Sequence, residues 1–466
     1  MENSPENPGL RFAGGTLLLN VRPPASNARL WKWDKREAAH RTFALHYPEV
    51  AAALREQSPA YSVDIARWHP VHWQNPSLSQ LRPDQEAAVQ AWMQTRKGVI
   101  VMPTGTGKTE VALHIIHRLA VTTLVVAPVR DLMYQWQQRI QDRLGYDAGI
   151  IGDNTFNKRP VSVTTYDSAC IHMKDFGDEF QLIIFDECHH LPGRIRSDAA
   201  RMSMAPYRMG LTATPERSDG REDALDQLIG PIVYRLPLNE ASGGILADYD
   251  VFTYPVHLSP EERATYDTCS ATIHRYFADR HKTDPDFSVE DLHAAYTKDP
   301  EARRVIRALR AKLSIEDRAR EKLRVLEDIF RLHHGTPMLI FTQTNIMARE
   351  VSVRFLIPCL LNHARKKERR DILTGFRDGV YPAIVANRVL DEGVDIKEAK
   401  VAVILGGLAS VRQAIQRLGR IIRKQGEQKA ALYEIVCEDT KEITRSRTRR
   451  RTDAYARTRH LRNRRE

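Results

Sequence analysis

The sequence predicts an α/β protein with two parallel-sheet halves, a helical region between them and a small N-terminal domain. Three observations carry this. Short apolar runs of strand length ("GVIVMP", "TLVVAP", "VSVTTY" and "LIIFDE") alternate with amphipathic stretches such as "TEVALHIIHRLA" and "VRDLMYQWQQRIQDRL". That alternation places helices on both faces of a parallel sheet. A second series, "PMLIFTQ", "YPAIVANRV", "VAVILGG" and "AALYEIV", follows from residue 335, while the intervening 257–334 are charged and helical in period until Gly335 and Pro337 close them.

In chain order, residues 1–75 read as a small N-terminal domain, with "TLLLNV" as a strand and "PEVAAALREQ" as a helix. The first α/β half spans 76–256, the helical insertion 257–334, the second α/β half 335–440 and a basic tail 441–466. The tail carries 11 Lys/Arg against 3 Asp/Glu, most of the net charge of +11. It reads either as an arm that attracts nucleic-acid phosphates or as a solvated segment without a partner. No apolar run reaches membrane-spanning length, and "MENSPENPGL" does not resemble a secretory signal. The five cysteines are scattered, as expected of reduced thiols in a cytoplasmic protein.

The stretch "PTGTGKT" (Pro103, Thr104, Gly105, Thr106, Gly107, Lys108, Thr109) follows the run "GVIVM" and opens a helical pattern. Glycines there let backbone N–H groups turn toward phosphate oxygens, and the helix N-terminus adds partial positive charge. Lys108 suits the β- and γ-phosphates of ATP, and the Thr109 hydroxyl suits Mg²⁺. The strict loop pattern wants a glycine where Met102 stands. "FDECHH" (185–190) ends another apolar run. Isolated charges are costly to bury, so Asp186 and Glu187 need a partner or a function. Asp186 suits Mg²⁺, largely through water, and Glu187 suits the water attacking the γ-phosphate. A zinc site on Cys188, His189 and His190 is the competing reading, but no second pair of ligands is in view.

With "TAT" (212–214) and "QRLGRIIR" (416–423), these motifs occur in the order of superfamily-two helicases of DEAH-box type. "LRPDQEAAV" (81–89), "VLDEGVDIKEAKVAVIL" (389–405) and "WKWDKREAAHRTFALHY" (31–47) bring the resemblance to the xeroderma pigmentosum group B (XPB) family, of archaeal and bacterial type. The resemblance implies two tandem RecA-like P-loop NTPase domains with ATP in the cleft between them. It implies adenine reading by Gln85 beside Arg82, and arginine fingers at Arg420 and Arg423 beside Gln416. Glu392, Gly393 and Asp395 would sense nucleotide and touch nucleic acid. Thr212 and Thr214, with His189, would couple hydrolysis to movement. Relatives carry an Arg-Glu-Asp triplet linked to unwinding where this chain has Arg217, Ser218 and Asp219, and a thumb-like DNA-gripping module where it has 257–334.

Strand contacts are expected from loops beside the nucleotide: Pro128 and Arg130, Thr164 and Thr165, Thr342 and Gln343. Such contacts read backbone phosphate and tolerate any sequence, whereas each residue singly also fits a helix cap or turn. The expected function is an ATP-dependent DNA helicase or translocase of 3′-to-5′ polarity, plausibly in DNA repair. Its cofactors are ATP and Mg²⁺, its partner is single-stranded, forked or duplex DNA, and it needs no membrane. The alternatives are the motor subunit of a restriction or phage-defence system with a separate nuclease protein, and an ATP-gated DNA-binding scaffold.

Overall fold

The computed structural model describes residues 9–57, 62–65, 68–193, 195–215, 220, 223–241, 249–361, 364–387, 399–406, 430–450 and 458–460. The chain folds as two compact units, Met1–Leu238 and Asn239–Glu466. Among the described residues no helix is long and apolar enough to cross a membrane.

The first unit opens with strands β1 (Gly9–Ala13), β2 (Thr16–Leu19), β3 (Lys32–Asp34) and β4 (Ala39–Phe43), helix α1 (Tyr47–Gln57) and β5 (Ser62–Asp64). They form a five-stranded sheet in the order β3-β4-β2-β1-β5. Leu10, Leu17, Leu19, Trp31, Val50 and Leu54 make its core, and Met204 from the following domain packs into it. Gly15, at φ +78° in the β1–β2 turn, lies so close to Met202 that an added Cβ would stand 2.4 Å from its Cγ. Glycine is required there both by the left-handed backbone and by this approach.

The α/β domain follows as α2 (Pro83–Thr95), β6 (Lys97–Val101), α3 (Lys108–Leu119), β7 (Thr123–Ala127), α4 (Arg130–Leu144), β8 (Gly149–Gly152), β9 (Thr155–Asn157), β10 (Val161–Thr165), α5 (Tyr166–Phe176), β11 (Leu182–Asp186), α6 (Asp198–Arg201), β12 (Tyr207–Thr212), α7 (Ala224–Leu228), β13 (Ile232–Arg235) and α8 (Leu238–Ala241). The sheet order is β13-β6-β12-β11-β7-β10-β8-β9. All pairings are parallel except β8 with β9. Every residue of β7, β10 and β11 is buried, as expected of strands covered on both faces. β12, "YRMGLT", escapes the search for apolar runs because Arg208 and Gly210 interrupt it. Arg208 is nevertheless buried. Its guanidinium donates to the carbonyls of Ala200, Ser203, Ala205 and Leu228, and burial lowers its pKa to about 9.

The second unit contains β14 (Tyr249–Val256), α9 (Pro260–His281), α10 (Val289–Ala295), α11 (Pro300–Arg318), α12 (Arg320–Leu332), β15 (Met338–Thr342), α13 (Asn345–Phe355), β16 (Cys359–Leu360), α14 (Lys366–Arg377), β17 (Ala383–Ala386), β18 (Val401–Leu405), β19 (Ala430–Cys437), α15 (Lys441–Arg450) and β20 (Thr458–His460). Its parallel sheet runs β16-β17-β15-β18-β19-β14-β20. β14 corrects the expected boundary at 256. It pairs with β19 along its whole length, so it belongs to the second sheet. Its partner is remote in sequence, and an apolar strand carries no local mark of the sheet it joins.

The expected helical insertion is built in two ways. α9, α10 and α11 share their own small core around Ile273, Tyr276, Leu292, Val305 and Ile306. Ser259 and Glu262 cap α9 reciprocally, with Pro260 in its first turn. α12, in contrast, packs Leu323, Leu326 and Ile329 on the second sheet and is a layer of that domain.

The stretch from 441, read from charge as a tail, begins as a helix locked into the same unit. Lys322, fully buried, donates from Nζ to Glu442 Oε1 and Oε2 at 2.9 and 2.8 Å and to the Glu316 carbonyl at 2.5 Å. The Cys437 N–H donates to Glu442 at 2.8 Å, and Ser446 Oγ to Glu434 at 2.7 Å. Arg445 pairs with Glu316, which also accepts from Tyr266 Oη at 2.9 Å. Composition hides this because the inward Glu442, Arg445 and Ser446 stand in a run dominated by arginine. Lys322→Ala leaves Glu442 buried without its cation, a loss of about 3–5 kcal/mol. Its expected effect on thermal unfolding is a fall in melting temperature on the order of 10 °C. Circular dichroism melting checks it, and an unchanged transition would show that the pair contributes nothing.

Candidate nucleotide site and strand-contact edge

Parallel order brings the C-terminal ends of β6, β12, β11, β7, β10 and β8 to one edge of the first sheet. In chain terms that edge carries the loop 103–109, "TAT", "DECHH", "APVR" and "TTY". Ligands of open α/β sheets bind at this edge.

The phosphate-loop candidate joins β6 to α3. Gly105 and Gly107 hold φ of +87° and +86°. The left-handed backbone at Gly107 favours glycine, and a Cβ there would lie 2.4 Å from Gln85 Nε2 and displace that amide. Thr106 Oγ1 donates to the Pro103 carbonyl at 2.7 Å and closes the turn. Thr104 Oγ1 is buried without a hydrogen-bond partner, a group that a phosphate oxygen would satisfy. Lys108 Nζ donates to the Met102 carbonyl at 3.2 Å and stands 4.0 Å from Glu187 Oε1. Thr109 follows in the first turn of α3.

Arg82 and Gln85 open α2 beneath this loop. Gln85 Oε1 accepts from the Arg82 N–H and its Nε2 donates to the Thr106 carbonyl, both at 3.0 Å. Arg82 also donates to that carbonyl, at 2.5 Å, and grips Asp84 through two hydrogen bonds. Both ends of the Gln85 amide are therefore engaged in shaping the phosphate loop, and adenine reading would exchange one of these bonds.

Asp186 is buried at the end of β11. Its carboxylate accepts from Trp136 Nε1 at 2.8 Å and from the Glu187 N–H at 3.0 Å, and its carbonyl accepts from Tyr166 Oη at 3.0 Å. Burial, and then the neighbouring Glu187 charge, raise its pKa to about 6. Glu187 takes a left-handed backbone (φ 48°, ψ 54°), uncommon for a residue with a side chain. That turn places Glu187 Oε2 3.3 Å from His189 Nδ1. His189 is fully buried, with Nδ1 3.0 Å from Thr212 Oγ1, which also accepts from the Thr214 N–H at 3.2 Å. A polar chain thus runs from Glu187 through His189 to "TAT". The zinc alternative loses its thiol: Cys188 is buried, and its Sγ would stand 2.9 Å from a Cβ on Gly210 of β12.

Three comparisons place this geometry among known proteins. Residues 78–217 match the model of a type III restriction enzyme res subunit, and 321–425 a helicase conserved C-terminal domain. Residues 10–62 match the damage recognition domain of the xeroderma pigmentosum group B helicase. The chain is 37% identical to the DNA 3'-5' translocase XPB2 of Sulfurisphaera tokodaii, across 95% of this chain and 99% of that one. The chain belongs to the XPB family. It is also 29% identical to the DNA 3'-5' helicase XPB of Kineococcus radiotolerans over 78% of its own length, where it spans 60% of that XPB protein. The crystal structure of the Pyrococcus furiosus Hef helicase domain overlays 78% of this XPB-family chain and 98% of that domain, with a TM-score of 0.54 at 16% identity. The two RecA-like parallel-sheet domains and the small N-terminal domain expected of an XPB-family member are those observed.

Strand-contact candidates fare unequally. Arg130 opens α4 with an exposed side chain that pairs with Asp153 at 2.5 Å, and no side chain caps that helix. Thr164 is fully buried and donates to the Ile151 carbonyl at 2.6 Å. Thr165 caps α5, accepting from the Ser168 N–H at 3.3 Å. Thr342, 1% exposed, donates to the Thr344 carbonyl at 3.2 Å. These three hydroxyls each engage a backbone group: Thr164 across to β8, Thr165 in the cap of α5 and Thr342 in the turn after β15. Arg217, Asp219, Glu392, Gly393, Asp395, Gln416, Arg420 and Arg423 lie outside the described residues. Trp136 and Tyr166 were missed by sequence reasoning. Trp136 inside a helical pattern and Tyr166 at the end of the strand-length run "VSVTTY" both look like core aromatics, and only the fold reveals that their polar tips meet Asp186.

Proposed function

We propose that this protein is an ATP-dependent DNA translocase of 3′-to-5′ polarity that uses ATP hydrolysis to move along or unwind DNA. One observation supports this above the rest: the 37% identity to a DNA 3'-5' translocase extends over 95% of the chain. The described residues fit a nucleotide with its metal. The glycine loop offers backbone N–H groups and the partnerless Thr104 hydroxyl, and Lys108 stands 4.0 Å from the Glu187 carboxylate. Thr109 and Asp186 would hold Mg²⁺, which when bound neutralises charge building on the phosphates.

The chain's own groups then divide the work. Lys108 exchanges its contact with the Met102 carbonyl for the β- and γ-phosphates. Glu187 aligns the attacking water and accepts its proton, while His189 holds the Glu187 carboxylate and carries its state to Thr212. Arg420 and Arg423 complete the proposed set by stabilising γ-phosphate charge. Arg130 at the start of α4 contacts the strand's phosphates, and α9–α11 supply a further grip. A second reading, a motor serving a separate nuclease, is favoured by the restriction-subunit match of 78–217.

ATP turnover measured with and without single-stranded DNA tests the proposal. The expected result is stimulation of about ten-fold or more. Displacement is expected from forks with a 3′ loading strand and not from those with a 5′ one. Unstimulated turnover would reject the motor reading, and stable co-purification with a nuclease chain would favour the second.

A further inference from the structure

Asp186 is held by two helices as well as by its own strand. Trp136, 2% exposed, lies six residues into α4, less than two turns from Arg130. Tyr166, fully buried, is the first residue of α5 and follows Thr165 directly. Trp136 Nε1 donates to the Asp186 carboxylate at 2.8 Å and Tyr166 Oη to the Asp186 carbonyl at 3.0 Å. Both helices begin at the sheet edge where β7 and β10 end, β7 lying next to β11 and β10 next to β7. Asp186, proposed to hold the metal, is therefore tied through its carboxylate to α4, whose start is proposed to face the strand, and through its backbone carbonyl to α5.

Buried aromatic N–H and O–H groups always need acceptors, so either bond alone is ordinary. The pair is not ordinary in its target. Both donors, from different helices, converge on one residue, and that residue is the candidate metal ligand. Partners of a ligating carboxylate orient it, and their loss is costly to metal affinity. We propose that Trp136 and Tyr166 are positioning residues through which strand contact at the start of α4 and nucleotide binding at Asp186 sense each other, Trp136 by orienting the carboxylate and Tyr166 by fixing the backbone that carries it. This rests on the reading of the protein as a DNA translocase. It adds a route separate from the chain that runs through His189 and "TAT".

Linkage makes the route measurable without turnover. If DNA at the start of α4 alters nucleotide affinity, nucleotide alters DNA affinity by the same factor. The experiment is an anisotropy titration of a labelled single-stranded oligonucleotide, with and without a non-hydrolysable ATP analogue and Mg²⁺. It uses the full chain, Trp136→Phe and Tyr166→Phe, each variant deleting one donor. The wild type is expected to change DNA affinity on the order of ten-fold with nucleotide. In the variants that ratio is expected to fall to less than about a third of the wild-type value, with nucleotide-free DNA affinity within about two-fold. Loss of packing alone would lower melting temperature and leave the ratio intact. A wild-type ratio in both variants, or no nucleotide effect in the wild type, overturns the inference. If Trp136→Phe does not fold, the single-atom change Tyr166→Phe decides. A wild type that neither binds DNA nor is stimulated by it overturns the translocase reading instead.

Discussion

Glu187→Gln is expected to lower ATP turnover by about 10²- to 10⁴-fold, the range a positioned general base supplies. The substitution keeps the side chain's shape and removes its charge. Its backbone (φ 48°, ψ 54°) is no more strained with glutamine than with glutamate, so the turn after β11 should persist. Lys108, 4.0 Å away, loses a weak electrostatic partner and should meet phosphate at least as readily. The variant is therefore expected to bind ATP and hold it. Steady-state turnover alongside nucleotide affinity checks this. Turnover within a few-fold of wild type would remove Glu187 from the reaction, and lost affinity would show that its role is structural.

Lys108→Ala is expected to reduce turnover by about 10²- to 10³-fold, the cost of losing one preorganised charge beside a transferring group. ATP affinity should weaken with it. The fold should not: among the described residues Lys108 contacts only the Met102 carbonyl at 3.2 Å and Glu187 at 4.0 Å. The loop keeps its glycines and the Thr106 closure. Equal melting temperatures with turnover lost are the expected pair of results. Unchanged turnover would exclude the loop 103–109 as the phosphate site.

The helix start after Gly107 and the strand end at Asp186 were legible because the chemistry is local. A glycine turn between a buried strand and an amphipathic helix is written in a few consecutive residues, as is a pair of carboxylates closing an apolar run. The same locality says less at Thr164, Thr165 and Thr342. Each stands near a strand end, and its hydroxyl engages a backbone group that only the folded chain brings within reach, on β8 for Thr164 and in a cap or turn for the other two. Arg208 shows the converse. A charged residue hid β12 from the pattern because the four carbonyls that solvate it come from two segments outside the strand, 200–205 and Leu228.

By itself the amino-acid order determined the alternation of strand and helix, the P-loop and carboxylate motifs and their sequence along the chain. Those are properties of short windows, where side-chain period and backbone conformation decide. Only the tertiary structure decided that β14 joins the second sheet, that α15 is pinned by Lys322 and Glu442, and that Trp136 and Tyr166 close on Asp186. Each of these is a hydrogen bond or ion pair between residues far apart in sequence. Its formation depends on burial that excludes water from both partners at once, and no local stretch records that condition.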